Sequence, residues 1–388
     1  MTAGRVSRIL TAQWTDADNH NAQVLNARAM LARFTSPHAS WLAMAYNRPD
    51  PRLTAAPRVS IARLWRRHLW YLHKLALYQS RVDAIFYPGP YWFDEWGLRL
   101  RVAVGRRIPV IATVEGLVGD PEREELLSRW AGHRVYCQRV PGNRLRRIDT
   151  ILRDADRIIA ISPFLGDMAR RLYGDKVSVV PLGIDLRPAA ETSKVGSRRL
   201  RVVGAGRIYE NKRPELFLDL AERFPTADFV WFGEGPRRAA LQGEASRRGL
   251  NNVEFAGAVP HEQLQSEMAA SSLFILPSLS EGVPKVSMEA AAAGIPVILY
   301  GHYHAPSVVD GINGYVVWDD AQLIGRVSEL LDDPRRADEL GQRGLQMAQD
   351  WSWDHIAPLW EQEILNAVRR SAPLESKGRT TQQRTPEI

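Results

Sequence analysis

The chain has 388 residues, 45% hydrophobic and 24% charged, with 51 Lys and Arg against 44 Asp and Glu. That length fits two domains of roughly 150–200 residues, each with its own core, and the composition excludes a disordered chain or a fibrous repeat. A single cysteine, Cys137, excludes an internal disulfide and a cysteine zinc cluster and fits a reducing compartment, so the expected location is cytoplasmic.

Residues 5–14 alternate apolar and polar side chains and predict a strand instead of a signal peptide, and no run of about 18 apolar residues predicts a membrane span. Residues 1–190 hold 29 Lys and Arg against 17 Asp and Glu, a net +12, while residues 191–388 hold 22 against 27, a net −5. The basic half suits an anionic acceptor or an anionic membrane surface; a solvated Arg-rich surface is the plainer reading. No nucleic-acid partner is expected.

Short β-rich runs recur through the first half at 9–10, 41–46, 84–87, 109–114 and 157–161, separated by helical patterns. This alternation predicts βαβ units and a mostly parallel sheet. Residues 61–78 carry apolar positions 61, 64, 65, 69, 72, 75 and 76 in one stripe, with Arg63, Arg66, Arg67 and Lys74 among them. They predict a helix that either packs on the sheet or lies on an anionic membrane. The polar stretch 187–198 reads as a linker, after which runs at 200–204, 228–232, 253–255, 273–276, 297–300 and 315–317 predict a second open sheet. The fold class is α/β, with two Rossmann-like domains at residues 1–190 and 191–350. Residues 371–388 are polar and lack aromatic side chains, which predicts a disordered tail.

Ligands of such sheets sit beyond the carboxyl ends of the strands. Residues 274–290 read as strand, loop and helix, with Pro284 in the first helical turn. Glu281 then lies in the loop, near a helix N-terminus whose free amides favour an anion, and Glu289 lies further along the helix. These two carboxylates can hold hydroxyls at the two ends of an extended ligand, with its phosphates between them. The plainer reading makes Glu281 a cap and Glu289 a solvated side chain, but the small-residue run at 290–293 implies close packing and turns Glu289 towards a cleft. In the loop after the strand at 200–204, Gly204 and Gly206 permit close backbone approach, and Arg207 and Lys212 offer a planar fork and a point charge for a diphosphate. Of only six lysines, Lys212 and Lys285 fall in these two loops. A dinucleotide fingerprint competes, but the third glycine is missing.

Taken in order, G-R-x4-K (Gly206, Arg207, Lys212), F-G-E-G-P at 232–236, V-E-F-A-G-A-V at 253–259, E-x7-E (Glu281, Glu289) and D-G-I-N-G at 310–314 resemble retaining glycosyltransferase family 4. D-A-D-R-I-I-A-I-S at 154–162, V-V-P-L-G-I-D at 179–185 and W-S-W at 351–353 extend the likeness over roughly residues 109–370. The resemblance implies the GT-B fold, two Rossmann-like domains facing across a cleft, with a helix at 351–370 returning to the first domain. It implies a nucleotide-sugar donor and transfer with retention. Arg207 and Lys212 would hold the diphosphate, Glu281 the transferring sugar and Glu289 the ribose. The backbone of Gly282, Val283, Pro284, Lys285 and Val286 would complete the phosphate site. It implies no metal and no cofactor, the nucleotide sugar being a substrate.

Three departures stand out. The loop at 15–23 lacks the usual glycines, Glu115 stands where histidine is common, and Ser307 stands where an acidic residue is common. Glu115, at a strand's carboxyl end, is a further catalytic candidate. It can accept a hydrogen bond from a sugar hydroxyl or steady positive charge on the anomeric carbon. Asp16-x-Asp18 reads as a loop and not as a metal motif, and His302 with His304 lack a third zinc ligand. Three functions compete: sugar transfer to an anionic or lipid-linked acceptor at the inner membrane face, epimerisation or phosphorolysis of a sugar, and nucleotide binding without catalysis.

Overall fold

The computed structural model describes residues 6–17, 22–45, 48–63, 81–89, 108–186 and 200–371. Two parallel sheets organise them. The first holds seven strands: β1 (Ser7–Trp14), β2 (Ala39–Ala45), β3 (Val59–Arg63), β4 (Ala84–Tyr87), β5 (Val110–Val114), β8 (Arg157–Ala160) and β9 (Val177–Val179). Their spatial order is β3-β2-β1-β4-β5-β8-β9, while the two-residue β6 (Val118–Gly119) and β7 (Gln138–Arg139) pair apart from the sheet. The second sheet runs β12-β11-β10-β13-β14-β15, from β10 (Leu200–Ala205), β11 (Ala227–Phe232), β12 (Val253–Gly257), β13 (Leu273–Leu276), β14 (Val297–Tyr300) and β15 (Gly314–Val317).

Central strands such as β4, β5, β13 and β14 are buried throughout, as expected of a parallel sheet covered by helices on both faces. Each sheet reverses its winding direction once, between β1 and β4 and between β10 and β13. The crevices beyond the carboxyl ends of those strand pairs are where a doubly wound sheet binds ligands.

Among the described residues, the helices of the first half are α1 (Ala22–Leu31), α2 (Pro51–Ala55), α3 (Pro121–Ala131), α4 (Gly142–Asp154) and α5 (Pro163–Tyr173). Their ends are written locally. Asp120 accepts from the Arg123 amide at the start of α3, Pro121 supplies a preset φ, and Gly132 stops the helix at φ 75°. The second half carries α6 (Leu216–Arg223), α7 (Arg238–Arg247), α8 (His261–Ala269), α9 (Lys285–Ala292), α10 (Asp320–Asp332), α11 (Pro334–Ala348) and α12 (Trp353–Ser371).

One element differs from the sequence reading. Residues 61–63 are not the start of a helix but the end of β3, paired in parallel with β2 at Ala43, Met44 and Ala45. Val59-Ser60-Ile61-Ala62-Arg63 alternates as a strand does, and its neighbour β2 supplies the partner that an apolar stripe counted at helical spacing does not register. The rest of the 61–78 stretch, the 187–198 linker and the tail beyond Ser371 lie outside the described residues.

After α11 the chain crosses back. The Ile184 amide donates to the Trp351 carbonyl at 2.8 Å and the Trp353 amide to the Ile184 carbonyl at 3.0 Å. Trp353 and Trp360 are fully buried in the same apolar cluster as β1, β2 and β4. Within α12, Glu361 is buried and its carboxylate accepts from the Thr35 amide at 3.0 Å, the Ser36 amide at 3.0 and 3.1 Å, and Trp41 Nε1 at 3.2 Å. All three donors belong to the first domain and lose their partner together if the carboxylate is removed. Glu361→Ala should therefore cost about 2–4 kcal/mol, seen as a lower melting temperature of the first domain. A loss under about 0.5 kcal/mol, typical of a surface change, would contradict this anchoring role.

Candidate active site in the interdomain cleft

On the second domain, β10 is followed by Gly206, whose φ of 141° is closed to most side chains. Gly233, at φ 142°, packs so tightly behind it that an added Cβ would lie 2.1 Å from the Gly206 oxygen, and a Cβ on Gly235 would lie 2.4 Å from the Ile208 oxygen. The F-G-E-G-P segment is thus a backbone cradle for the 206–208 turn, which also receives Trp231 Nε1 on the Gly206 carbonyl at 2.9 Å. Sequence reading found that segment but not its purpose. The turn leaves Arg207 exposed, its guanidinium 5.3 Å from the Tyr209 ring centroid.

Lys212 and Glu281 are brought together. They form an ion pair between Nζ and Oε1, with side chains 19% and 15% exposed. Each neutralises the other in a site open enough for an anion or a hydroxyl to compete. Eight residues on, Glu289 is only 14% exposed and stands 3.1 Å from Nε2 of His261, the first residue of α8. That histidine escaped sequence reading because it belongs to a different strand-helix unit. Between the two carboxylates α9 begins at Pro284, which offers no side-chain cap. The Ser287 amide already donates to the Pro284 carbonyl at 2.9 Å, while those of Lys285 and Val286, at the positive end of the dipole, face outward from the ladder for another acceptor.

Ser307 is fully buried, and its hydroxyl lies 2.6 Å from that of Ser287 on α9, which in turn donates to the Pro284 carbonyl at 2.6 Å. Asn313 of the D-G-I-N-G segment holds this loop, donating to the Ser307 carbonyl at 2.8 Å and accepting from the Val309 amide at 2.8 Å. A serine here clamps the start of α9 by hydrogen bonds without adding charge.

The first domain supplies the opposite wall. Glu115 follows β5, and the backbone there meets the 282–286 loop directly: a Cβ on Gly282 would lie 1.7 Å from the Glu115 carbonyl oxygen. Val283 packs against the first domain's core. The Glu115 carboxylate accepts hydrogen bonds from Asn26 and Gln23 of α1, yet burial outweighs them and pushes its pKa up to about 7. Lys285 does not turn its side chain to the loop amides; its ammonium crosses to Asn26 Oδ1 at 3.2 Å and lies 5.4 Å from the Trp353 ring centroid. Val286 packs on the second core, so Val283, Pro284, Lys285 and Val286 offer a ligand chiefly their backbone.

A second contact closes the cleft's far side. His302 Nδ1 lies 3.0 Å from the Arg134 carbonyl oxygen, and His304 packs on His133 and Phe164 with ring centroids 4.8 and 5.0 Å apart. Both His302 and His304 have pKa values lowered by burial. Asp16 is buried and Asp18 lies outside the described residues. Among the described residues, no group of three or more His, Cys, Asp or Glu is placed to hold a metal ion. No helix among them is long and apolar enough to cross a membrane.

The family model Glycosyltransferase Family 4 matches residues 17–187, and the model Glycosyl transferases group 1 matches residues 191–347. The chain is 30% identical over 251 residues to the GDP-mannose-dependent alpha-(1-6)-phosphatidylinositol monomannoside mannosyltransferase of Mycolicibacterium smegmatis, covering 57% of this chain and 65% of that one. It is 26% identical over 328 residues to the D-inositol 3-phosphate glycosyltransferase of Paenarthrobacter aurescens, covering 76% of this chain and 75% of that one. The match thus spans just under two thirds of the first of these relatives. Among solved structures, Anabaena HepE in complex with UDP and glucose superposes with a TM-score of 0.70 at 17% identity, covering 93% of this chain and all of that one. Sucrose-phosphate synthase of Thermosynechococcus elongatus superposes at 0.73 and 20% identity, over 95% of this chain and all of that one. At these identities the structural likeness establishes the GT-B fold.

An alanine Cβ at position 282, only 1.7 Å from the Glu115 carbonyl oxygen, leaves that carbonyl and the 282–286 loop no room to meet. Gly282→Ala should push the domains apart, giving a larger radius of gyration by small-angle X-ray scattering. An unchanged radius would show that this contact does not set the cleft.

Proposed function

The chain belongs to the family 4 and group 1 glycosyltransferases, and on that premise we propose that it transfers a sugar from a nucleotide-sugar donor, held by the second domain, to an anionic or lipid-linked acceptor at the first. The observation that carries this reading is the meeting of Glu281, Glu289, Lys212 and the open first turn of α9 at the carboxyl end of β13, with Glu115 facing them.

In this scheme the amides of Gly282, Val283, Lys285 and Val286 and the side chains of Arg207 and Lys212 take the diphosphate, and Glu289 takes the ribose hydroxyls. Arrival of the diphosphate draws the Lys212 ammonium away from Glu281, which frees that carboxylate to accept from a sugar hydroxyl. The bond from the anomeric carbon to the diphosphate oxygen breaks, and the acceptor oxygen bonds to the same face, so configuration is retained. The acceptor's proton leaves with the diphosphate. Arg207, Lys212 and the helix terminus stabilise the developing negative charge, a contribution of about 2–4 kcal/mol for each well-placed donor. Neither a divalent ion nor a cofactor enters the scheme. Glu115, ionised, accepts from a sugar hydroxyl or faces the positive charge on the anomeric carbon, so turnover rises with pH through about 7.

An acceptor bearing phosphate agrees with the +12 charge of residues 1–190 and with the phosphatidylinositol and inositol-phosphate acceptors in the relatives' names. We place the enzyme at the cytoplasmic face of the membrane, in peripheral contact with it.

The Lys212–Glu281 pair makes the mutational test discriminating. Glu281→Gln removes the sugar contact but releases the ammonium, so turnover should fall at least about a hundredfold while nucleoside diphosphate binds as tightly as before or tighter. Glu289→Ala should instead weaken nucleoside diphosphate about tenfold, roughly 1.4 kcal/mol. Near-normal turnover of Glu281→Gln, in buffer with excess EDTA, on a nucleotide sugar that stabilises the wild type would sink this assignment.

A further inference from the structure

Lys285 stands in the first turn of α9, within the donor-side loop, yet its side chain is spent on the other domain. Its ammonium donates to Asn26 Oδ1 at 3.2 Å and lies over the Trp353 ring at 5.4 Å. Asn26 is 2% exposed, and it also hydrogen-bonds the Glu115 carboxylate. One carboxamide therefore faces a cation with its oxygen and a carboxylate with its nitrogen, an orientation that only that pair of neighbours fixes. The charges around this bridge come from each packed element: Lys285 and Glu289 from α9, Glu115 from the end of β5, and Asp185 from the loop after β9. From α1 the groups are neutral, Asn26 and Gln23.

A partly buried ammonium with one hydrogen bond and a ring face is costly unless a nearby carboxylate offsets it. Here the carboxylates of Glu289, Asp185 and Glu115 all favour its charged form, while burial pulls its pKa down. The coupling is reciprocal, because the same cation favours the ionised form of Glu115 against the burial that raises its pKa to about 7.

We infer that Lys285 is a positioning residue which, through Asn26, holds the Glu115 carboxyl in the cleft and favours its ionised form when the two domains are in contact. The inference rests on the transferase reading and adds to it a means by which domain closure prepares the first domain's carboxylate. With the domains apart, Glu115 loses its cation; with them together, the loop that receives the phosphates also supplies the charge that readies the sugar contact.

The test follows kcat/KM against pH for wild type, Lys285→Met, Lys285→Arg, Glu115→Gln and the double variant Lys285→Met with Glu115→Gln, with the nucleotide sugar that most raises the wild-type melting temperature. Removing the ammonium disfavours ionised Glu115, so Lys285→Met should move the acidic limb of the profile upward by about one pH unit and lower kcat/KM at pH 7 about tenfold. Lys285→Arg should return the limb towards its wild-type position, and the double variant should be no slower than Glu115→Gln alone. An unmoved limb in Lys285→Met, or a double variant showing the full product of both losses, would overturn the inference. Should Lys285→Met fail to fold, Asn26→Leu must show the same upward shift, and an unmoved limb there is equally fatal. If the wild type transfers no sugar from any donor, the transferase reading fails instead. The coupling is then decided by the carboxyl ¹³C titration of Glu115, whose midpoint must rise in Lys285→Met.

Discussion

The backbone of Gly282 rests against the carbonyl of Glu115, and the rest of the site depends on that approach. It is possible only without a side chain at 282. It sets the 282–286 loop of one domain against the strand end of the other, and it brings Val283 onto the first core and Lys285 within reach of Asn26. The return of α12, anchored by Glu361 on Thr35, Ser36 and Trp41, keeps the second domain tethered close to this contact. The contact between His302 and the Arg134 backbone supports the opposite side. Among the described residues, the domains therefore touch through these separate contacts.

Within the cleft the charges are arranged in pairs that a ligand can exchange. Lys212 and Glu281 neutralise each other, as do Lys285 and its carboxylates, and Glu289 is held by His261. Pairing spares each group the cost of an isolated partly buried charge, and a donor carrying both phosphates and hydroxyls can substitute for both halves of a pair. The same logic explains why Arg207, without such a pair among the described residues, sits exposed over Tyr209. Arg213, next to the loop's Lys212, is instead spent on structure, clamping Asp320 at 2.9 and 2.6 Å.

The sheets were legible because a parallel strand buried on both faces leaves a short continuous apolar run, and β13 and β14 coincide with the runs at 273–276 and 297–300. β3 was not legible, since Ile61 and Ala62 also continue into a stretch with helical spacing and only pairing with β2 decides between them. Glu281 and Glu289 announced themselves by their place after a strand and on a helix. Their partners Lys212 and His261 lie 69 and 28 residues away, a proximity that spacing does not encode. Nor does sequence tell a phosphate-facing lysine from one that crosses the cleft, as Lys285 does. The glycines at 233 and 235 carried part of the family resemblance with no role attached, and they are packing requirements of the 206–208 turn.

The central claim is that a nucleotide sugar binds with its diphosphate at the first turn of α9. Hydrogen–deuterium exchange of the full chain, with and without saturating nucleoside diphosphate, reads those amides directly. The account predicts slowed exchange in 282–286 and in the 206–212 loop, with the peptides of β1 to β3 unchanged. Protection confined to the first domain, or none in 282–286 at saturation, would contradict it.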